Sequence, residues 1–484
     1  MSTLKFASIC YLAGFLSAVC SPLSGAAAEP PPAGERWYAL RLDGIRAGWV
    51  RESENSGDFE QESLFRVLRQ GAEIRLWNRS RLRRTTTGVR LATWTSTAPA
   101  ETLMLEVAFA ADSLRLERRE AGRTSRASLP TPPGLLDPFA VDQQYDIART
   151  APDARARFHT FWADLERVVE VEINYLGQDT LQTAGEQPRV ASRFHVASPD
   201  APESGSTEWR DQGGAVLRRV EDLLPLVADR CSREEALESG PTADILLQMK
   251  VPLHPALALR GTYETVRYAV SRLDGNPLNT LNVVAPARRA GGDASVLYIE
   301  SRLASPGEEP LSPLPDSSAL RSSPLIQSDD PEIVRVAQRE AGAGPDWLRA
   351  RRLSRFVARH VRTKDFAVGF ASARATLDAA EGDCTEHAVL LAALTRASGI
   401  PSRVKAGLVA LGGEMGYHLW TEIWDGGAWV GLDPTFDRAP VDGRYLGLGS
   451  STLTAGSVNA LAEGILPWMG RVEVRVVDAT LAVE

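Results

Sequence analysis

Lysine is scarce in these 484 residues, standing only at positions 5, 250, 364 and 405, while arginine supplies the rest of the positive charge. Lys and Arg together number 54 against 62 Asp and Glu, for a formal net charge of −8. That acidic balance sets aside nonspecific nucleic-acid binding as a function class. Cysteine occurs four times, at 10, 20, 231 and 384. So few in so long a chain exclude a small disulfide-stapled scaffold. The six histidines, at 159, 195, 254, 360, 387 and 418, lack the paired spacing of zinc ligands, and acidic calcium loops are absent. No metal or cofactor is implied. Hydrophobic content of 44%, charged content of 24% and 30 prolines describe an ordinary folded chain, long enough for about three domains.

The amino terminus carries Lys5, an apolar run from Phe6 to Val19 and the small residues Ser24-Gly25-Ala26-Ala27-Ala28. That order reads as a secretory signal cleaved near Ala28, because a spanning helix needs about 20 apolar residues and this run is shorter. Export to the periplasm or the cell exterior follows as an expectation. Cys20 leaves a lipid-anchored alternative open. Cleavage removes Cys10 and Cys20, and the settings of Cys231 and Cys384 differ enough that both are expected unpaired.

Residues 29–235 are expected to form a β-rich domain. Alternation in Trp37–Leu42, Glu73–Trp77, Val168–Ile173 and Val190–Val196, punctuated by Asp43-Gly44 and Asp211-Gln212-Gly213-Gly214, predicts antiparallel hairpins in a twisted sheet or open barrel. Its face is either packed core or a groove for an apolar or cell-envelope partner. A second β-rich stretch, 236–304, is expected as a small sandwich or an extension of the first sheet. Residues 305–330 have the Pro/Ser-rich composition of a linker and suggest a domain boundary. Asn78-Arg79-Ser80 matches a glycosylation sequon, for which chance is a sufficient account.

Beyond the linker, residues 331–484 are expected to form the catalytic domain. Ile333–Ala341 and Trp347–Val361 have helical spacing, with Leu348, Phe356 and Val361 facing inward. Arg349, Arg351, Arg352, Arg355 and Arg359 read as a solvated face. The segment after Asp383 is more specific. Asp383 suits an N-cap with Glu386 three residues on, and Gly399, Ile400 and Pro401 end the element. Cys384 is then the first residue of a helix, where unpaired N–H groups and the dipole favour thiolate and can receive an oxyanion.

A nucleophilic cysteine needs a base, and the base an orienting acceptor. Tyr417–Trp424 reads as a strand, Asp425-Gly426 as a two-residue turn and Gly427–Asp433 as the return. That register opposes Trp424 to Gly427, Glu422 to Trp429, Trp420 to Gly431 and His418 to Asp433. Opposed Cβ atoms lie about 4.5–5.5 Å apart, close enough for a carboxylate to hold an imidazole N–H. Cys384, His418 and Asp433 are therefore the candidate catalytic residues. His387, one turn beyond Cys384, competes as a base; Glu386 is read as a capping group; Trp420 either walls the site or belongs to the core.

Gly382-Asp383-Cys384, Gly399-Ile400-Pro401-Ser402-Arg403, His418-Leu419-Trp420 and Leu432-Asp433-Pro434-Thr435 together resemble the transglutaminase-like core of the papain-like superfamily, over roughly 326–450. The resemblance implies an α+β fold with a helix packed on an antiparallel sheet, and Cys384, His418 and Asp433 as a triad. Its members are transglutaminases, peptidases, amidases or inactive scaffolds. A side chain equivalent to the family's second oxyanion donor is not identified. Two functions are carried forward. One is an exported thiol enzyme acting on peptide or side-chain amides of a peptide or protein substrate, with hydrolysis favoured over amine transfer. The other is an idle scaffold or envelope-binding protein. Biased codon usage accounts for the lysine shortage; a crosslinking enzyme spared from modifying itself is the alternative.

Overall fold

The computed structural model describes residues 35–482 apart from 56, 70–71, 98–101, 152, 164–165, 183–187, 223, 244–250, 274–277, 279–280, 282, 293–294, 308–314, 364–370, 455–460, 462–463, 466–467 and 469–471. The expected signal segment, 1–28, lies outside the described residues. The described residues fall into two compact units, 35–68 with 73–243, and 251–482 with Arg69 and Ala72. The architecture is α+β.

Among the described residues of the N-terminal unit, fifteen strands, β1 (Arg36–Leu42) to β15 (Leu226–Cys231), form one sheet. Two runs of consecutive strands, β1 to β8 and β10 to β15, are joined where β1 pairs with β15, and β9 lies parallel to β10 at the far edge. Alternate side chains point inward, as a period of two requires. Phe109 and Phe161, from opposite arms, meet edge to face with centroids 6.3 Å apart, so the sheet curls around a shared core. The inner face also holds a buried ionic group. Helix α1 (Gln143–Thr150) is pinned by Tyr145, whose hydroxyl donates to Glu208 at 3.0 Å, and Arg210 donates to the same carboxylate at 2.8 Å. A short helix, α2 (Arg233–Leu237), follows β15.

The stretch expected as a separate sandwich or an extension of the first sheet belongs instead to the C-terminal sheet. Strands β16 (Val251–His254), β17 (Tyr263–Arg272), β18 (Arg288–Gly292) and β19 (Leu297–Arg302) join β20 (Ser402–Leu411), β21 (Glu414–Trp424), β22 (Trp429–Leu432), β23 (Tyr445–Ser451) and β24 (Val472–Leu481) in the order β18-β19-β17-β24-β16-β21-β20-β23, with β22 beside β21. The pairing that decides this is β17 with β24, from Tyr263↔Leu481 to Arg272↔Val472, which no local pattern announces. The Pro/Ser-rich stretch therefore runs between strands of one sheet. Its second half is packed: Ile326 is buried, the Ala373 amide donates to Leu325 O at 2.8 Å, and Arg396 Nη1 donates to Arg321 O at 2.8 Å.

Helices α3 (Pro331–Ala341), α4 (Asp346–His360) and α5 (Ala373–Ala379) surround α6 (Cys384–Ala397), in which every residue from Cys384 to Arg396 is buried. A helix apolar on all sides must be central to its domain. In α4 the buried face is Ala350, Leu353 and Val357; Val361 just beyond is also buried, but Leu348 is 43% exposed, contrary to the inward placement expected for it. Two of the arginines read as a solvated face are helix-end caps. Arg352 donates to Ala341 O at 2.5 Å and Arg349 to Ser398 O at 2.6 Å, satisfying carbonyls that α3 and α6 leave open.

The sheet is tight where β20 passes β23. A Cβ on Gly407 would lie 2.1 Å from Leu446 O and 2.9 Å from Trp420 Cη2. Gly407→Ala must push two strands apart, at an expected cost of about 1–3 kcal/mol. A lowered urea midpoint checks this; an unchanged midpoint contradicts it.

Candidate active site

Cys384 owes its position to the start of α6. Asp383, with extended backbone, accepts from the Thr385 amide at 2.8 Å, while Glu386 Oε2 accepts from the Asp383 amide at 2.9 Å, completing a capping box. Glu386 Oε1 accepts from the Ala371 amide at 3.1 Å, so both its oxygens serve backbone N–H groups. Gly382 is required beside it: a Cβ there would come within 2.6 Å of the Glu386 Cβ. At the other end the Ile400 amide donates to Thr395 O at 2.9 Å across Gly399, which has φ +77°. The helix is tied to β21 by Thr421 Oγ1, which donates to Ala388 O at 2.9 Å, one turn beyond Cys384.

The hairpin that carries His418 is wider than expected. Asp425 Oδ1 accepts from the amides of Gly427 at 2.9 Å and Ala428 at 2.8 Å, so the loop takes four residues and Trp424 pairs with Trp429. The register is thus two residues from the expected one. Glu422 opposes Gly431 and Thr421 opposes Leu432, so β22 ends before any residue stands opposite His418. A shift of two keeps every side chain on its face. Asp433, just past the strand, closes a loop with Arg438 through paired backbone bonds of 2.8 and 2.9 Å, and its carboxylate reaches His418 diagonally.

Three donors converge on that carboxylate. Oδ2 takes His418 Nε2 and Tyr445 Oη, each at 2.7 Å, and Oδ1 accepts from the Thr435 amide at 2.9 Å. Burial pushes the Asp433 carboxyl up, but the His418 charge and these bonds outweigh it and hold the group below the ordinary carboxylate range. Because an ionised carboxylate only accepts, Nε2 of His418 carries the proton and Nδ1 is the ring nitrogen left to act as acceptor. Nδ1 is buried with no hydrogen-bond partner among the described residues, and Cys384 Sγ donates to Asp383 Oδ1 at 3.3 Å. His418 and Asp433 are thus joined by a bond, while Cys384 is turned to its own cap. Cys384, His418 and Asp433 are all 0% exposed.

His387 has a partner that its sequence context did not disclose: Nδ1 lies 2.6 Å from Asp383 O, the geometry of a ring N–H donating to a carbonyl. Trp420 fills both roles left open for it. It packs in a core cluster with Val409, Val441 and Tyr445, and its indole stacks on His418 at 6.3 Å and 21°. Phe436 covers the imidazole at 4.9 Å. Phe436 and Tyr445 are the site residues that sequence reasoning missed; the only signal for Tyr445 is that a buried tyrosine hydroxyl needs a partner.

The ordered pattern of capped cysteine helix, histidine strand and aspartate loop has a counterpart among known families. Residues 335–434 match the transglutaminase-like superfamily. The match takes in Cys384 and His418 and ends one residue past Asp433. No curated protein matched the chain. Among solved structures, a β-barrel-like protein of a domain of unknown function from Brucella abortus is similar at 10% identity and TM-score 0.32, covering 41% of this chain and 95% of that one. A candidate cysteine protease from Cytophaga hutchinsonii is similar at 14% identity and TM-score 0.27, covering 45% of this chain and 86% of that one. A candidate protease from Parabacteroides distasonis is similar at 13% identity and TM-score 0.22, covering 82% and 68%. None of these scores is high enough to bear on the chemistry.

Outside the family-matching segment, Cys231 is the other described cysteine, and neither it nor Cys384 forms a disulfide. Burial, with the charge of Glu235 adding to it, pushes the Cys231 thiol up to about 11. The thiolate is the reactive form, so Cys231 alkylation by iodoacetamide is expected to be slow at neutral pH and to rise about tenfold per pH unit until the thiol ionises. Peptide mapping reads this; fast, pH-independent labelling of Cys231 contradicts it.

Proposed function

We propose that this protein is an exported, cysteine-dependent acyl-transfer enzyme acting on peptide or side-chain amides through Cys384, His418 and Asp433. The observation that carries the reading is the 2.7 Å bond from His418 to Asp433, which fixes the tautomer and leaves Nδ1 as a base on a strand tied to the cysteine helix. In the reaction, the Cys384 thiol passes its proton to Nδ1 and sulfur attacks the amide carbonyl. The first-turn amides of α6 receive the oxyanion. Collapse breaks the C–N bond, and Nδ1–H protonates the departing amine. Water then attacks the thioester, giving its proton back through His418 as the C–S bond breaks and a carboxylate leaves. An amine in place of water gives transfer; water is the more abundant acceptor, so hydrolysis is favoured. Substrates are peptides or proteins met outside the cytoplasm.

One observation favours a second reading. A fully buried Cys384 bonded to its own cap suits an idle scaffold, unless the covering side chains move aside. Alkylation separates the two. Iodoacetamide at pH 6 is expected to modify Cys384 quickly in the wild type and at least about 100-fold more slowly in His418→Ala. Mass spectrometry with a glutamine-peptide library and a labelled amine then reads the acceptor: deamidation or chain cleavage means hydrolysis, amine incorporation means transfer. Silence from both wild type and Cys384→Ala sinks the enzymatic reading.

A further inference from the structure

A carboxylate oxygen that serves as the anchor of an imidazole rarely has only that duty when it is buried, and Asp433 Oδ2 has a second donor. Tyr445 lies at the start of β23, outside the family-matching segment, with its hydroxyl 2.7 Å from the same oxygen that holds His418. Its ring is buried, edge-on to Trp420 at 5.3 Å and 78°, so it has no freedom to turn away. Burial, reinforced by the Asp433 charge, keeps the phenol protonated well beyond any working pH, so the hydroxyl is a permanent donor. The residue before it is clamped as well. Arg444 donates to Asp442 at 3.0 Å and to the carbonyls of Leu259 and Gly261 at 2.8 Å each, while Asp442 accepts from the Tyr263 amide at 3.2 Å. The turn that presents the hydroxyl is therefore anchored to the chain between β16 and β17.

We propose that Tyr445 is a positioning residue for the reaction: by donating to Asp433 Oδ2 it fixes the carboxylate plane and limits how strongly that oxygen draws the His418 proton. The Thr435 amide on Oδ1 stops rotation from one side and the tyrosine stops it from the other. With two donors sharing Oδ2, the proton stays on Nε2 and the imidazole keeps the tautomer that leaves Nδ1 basic. Without the hydroxyl, the whole acceptor strength of Oδ2 falls on His418. The titratable and charged groups on the packed elements include Asp433, Asp437, Arg438, Asp442 and Arg444 from the loop, Asp383 capping α6, Cys384, Glu386, His387 and Arg396 on it, Glu414 and Glu422 on β21, and Lys405 and Arg403 on β20, which pair with Glu422 at 2.9 and 2.7 Å.

This inference rests on the enzymatic reading for its purpose, but its test does not need turnover. In protein labelled with ¹⁵N-histidine, Tyr445→Phe is expected to move the His418 Nε2–H proton resonance downfield, because the bond to an unshared oxygen tightens. Site-specific 3,5-difluorotyrosine at position 445, a stronger donor, is expected to move it upfield, and it serves if the phenylalanine variant fails to fold. A resonance unmoved by either change overturns the proposal. In the active enzyme Tyr445→Phe lowers kcat about tenfold with KM within about twofold; a change in KM alone also overturns it. Wild-type Cys384 that is no more reactive than Cys231, alongside a shifted resonance, sinks the enzymatic reading and leaves the role of Tyr445 on the carboxylate standing.

Discussion

The C-terminal unit is organised around one buried anion. A carboxylate with no exposure to water is tolerated only when its lone pairs are met by donors and its charge by a partner. Asp433 meets that demand with an imidazole from β21, a phenol from β23 and an amide from its own loop. Each donor comes from a different stretch of chain, so satisfying the anion also sets where the strand, the loop and the following strand lie relative to one another. The Arg444 clamp onto the 258–261 backbone carries the same requirement outward to the strands that precede the helices.

The cysteine helix obeys a different economy. Its first turn is satisfied by Asp383 and Glu386, three residues apart, and its last by the Gly399-Ile400 turn. Both ends were legible in the sequence because capping is local chemistry, with donors and acceptors two to five residues apart. The hairpin was legible in kind but not in register. Asp425 and Gly426 mark a turn in either case; what decides between a two-residue and a four-residue loop is whether the aspartate side chain folds over the Gly427 and Ala428 amides, and the pattern of apolar residues is the same for both. The histidine and aspartate still meet because the error was two residues, which preserves the face, and because the chain turns just beyond Leu432.

What could not be read were the long-range pairings. Residues of β17 alternate as any half-buried strand does, and nothing in them names a partner 200 residues further on in β24. Tyr445 belongs to the same class: an aromatic in an apolar strand is ordinarily core, and only the folded position of a carboxylate twelve residues earlier gives its hydroxyl a task. Leu348 failed for the opposite reason. Its helix does carry an apolar stripe, but the stripe runs through Ala350, Leu353 and Val357, and the leucine stands on the opposite face of the helix.

The family-matching segment, 335–434, is not by itself a unit of architecture. Cut out at 335 and 434, it would keep the cysteine, the histidine and the aspartate. It would also shed β16, which flanks β21 through Val251 and Met415, and β23, which flanks β20 from Val404 to Val409. β20 would become a raw edge from Val404 to Val409, open to pairing with other copies of itself, and β21, still covered by β22 at one end, would lose its partner at Glu414 and Met415. Swapping this core between relatives thus carries an obligation to bring along flanking strands that its sequence signature does not include.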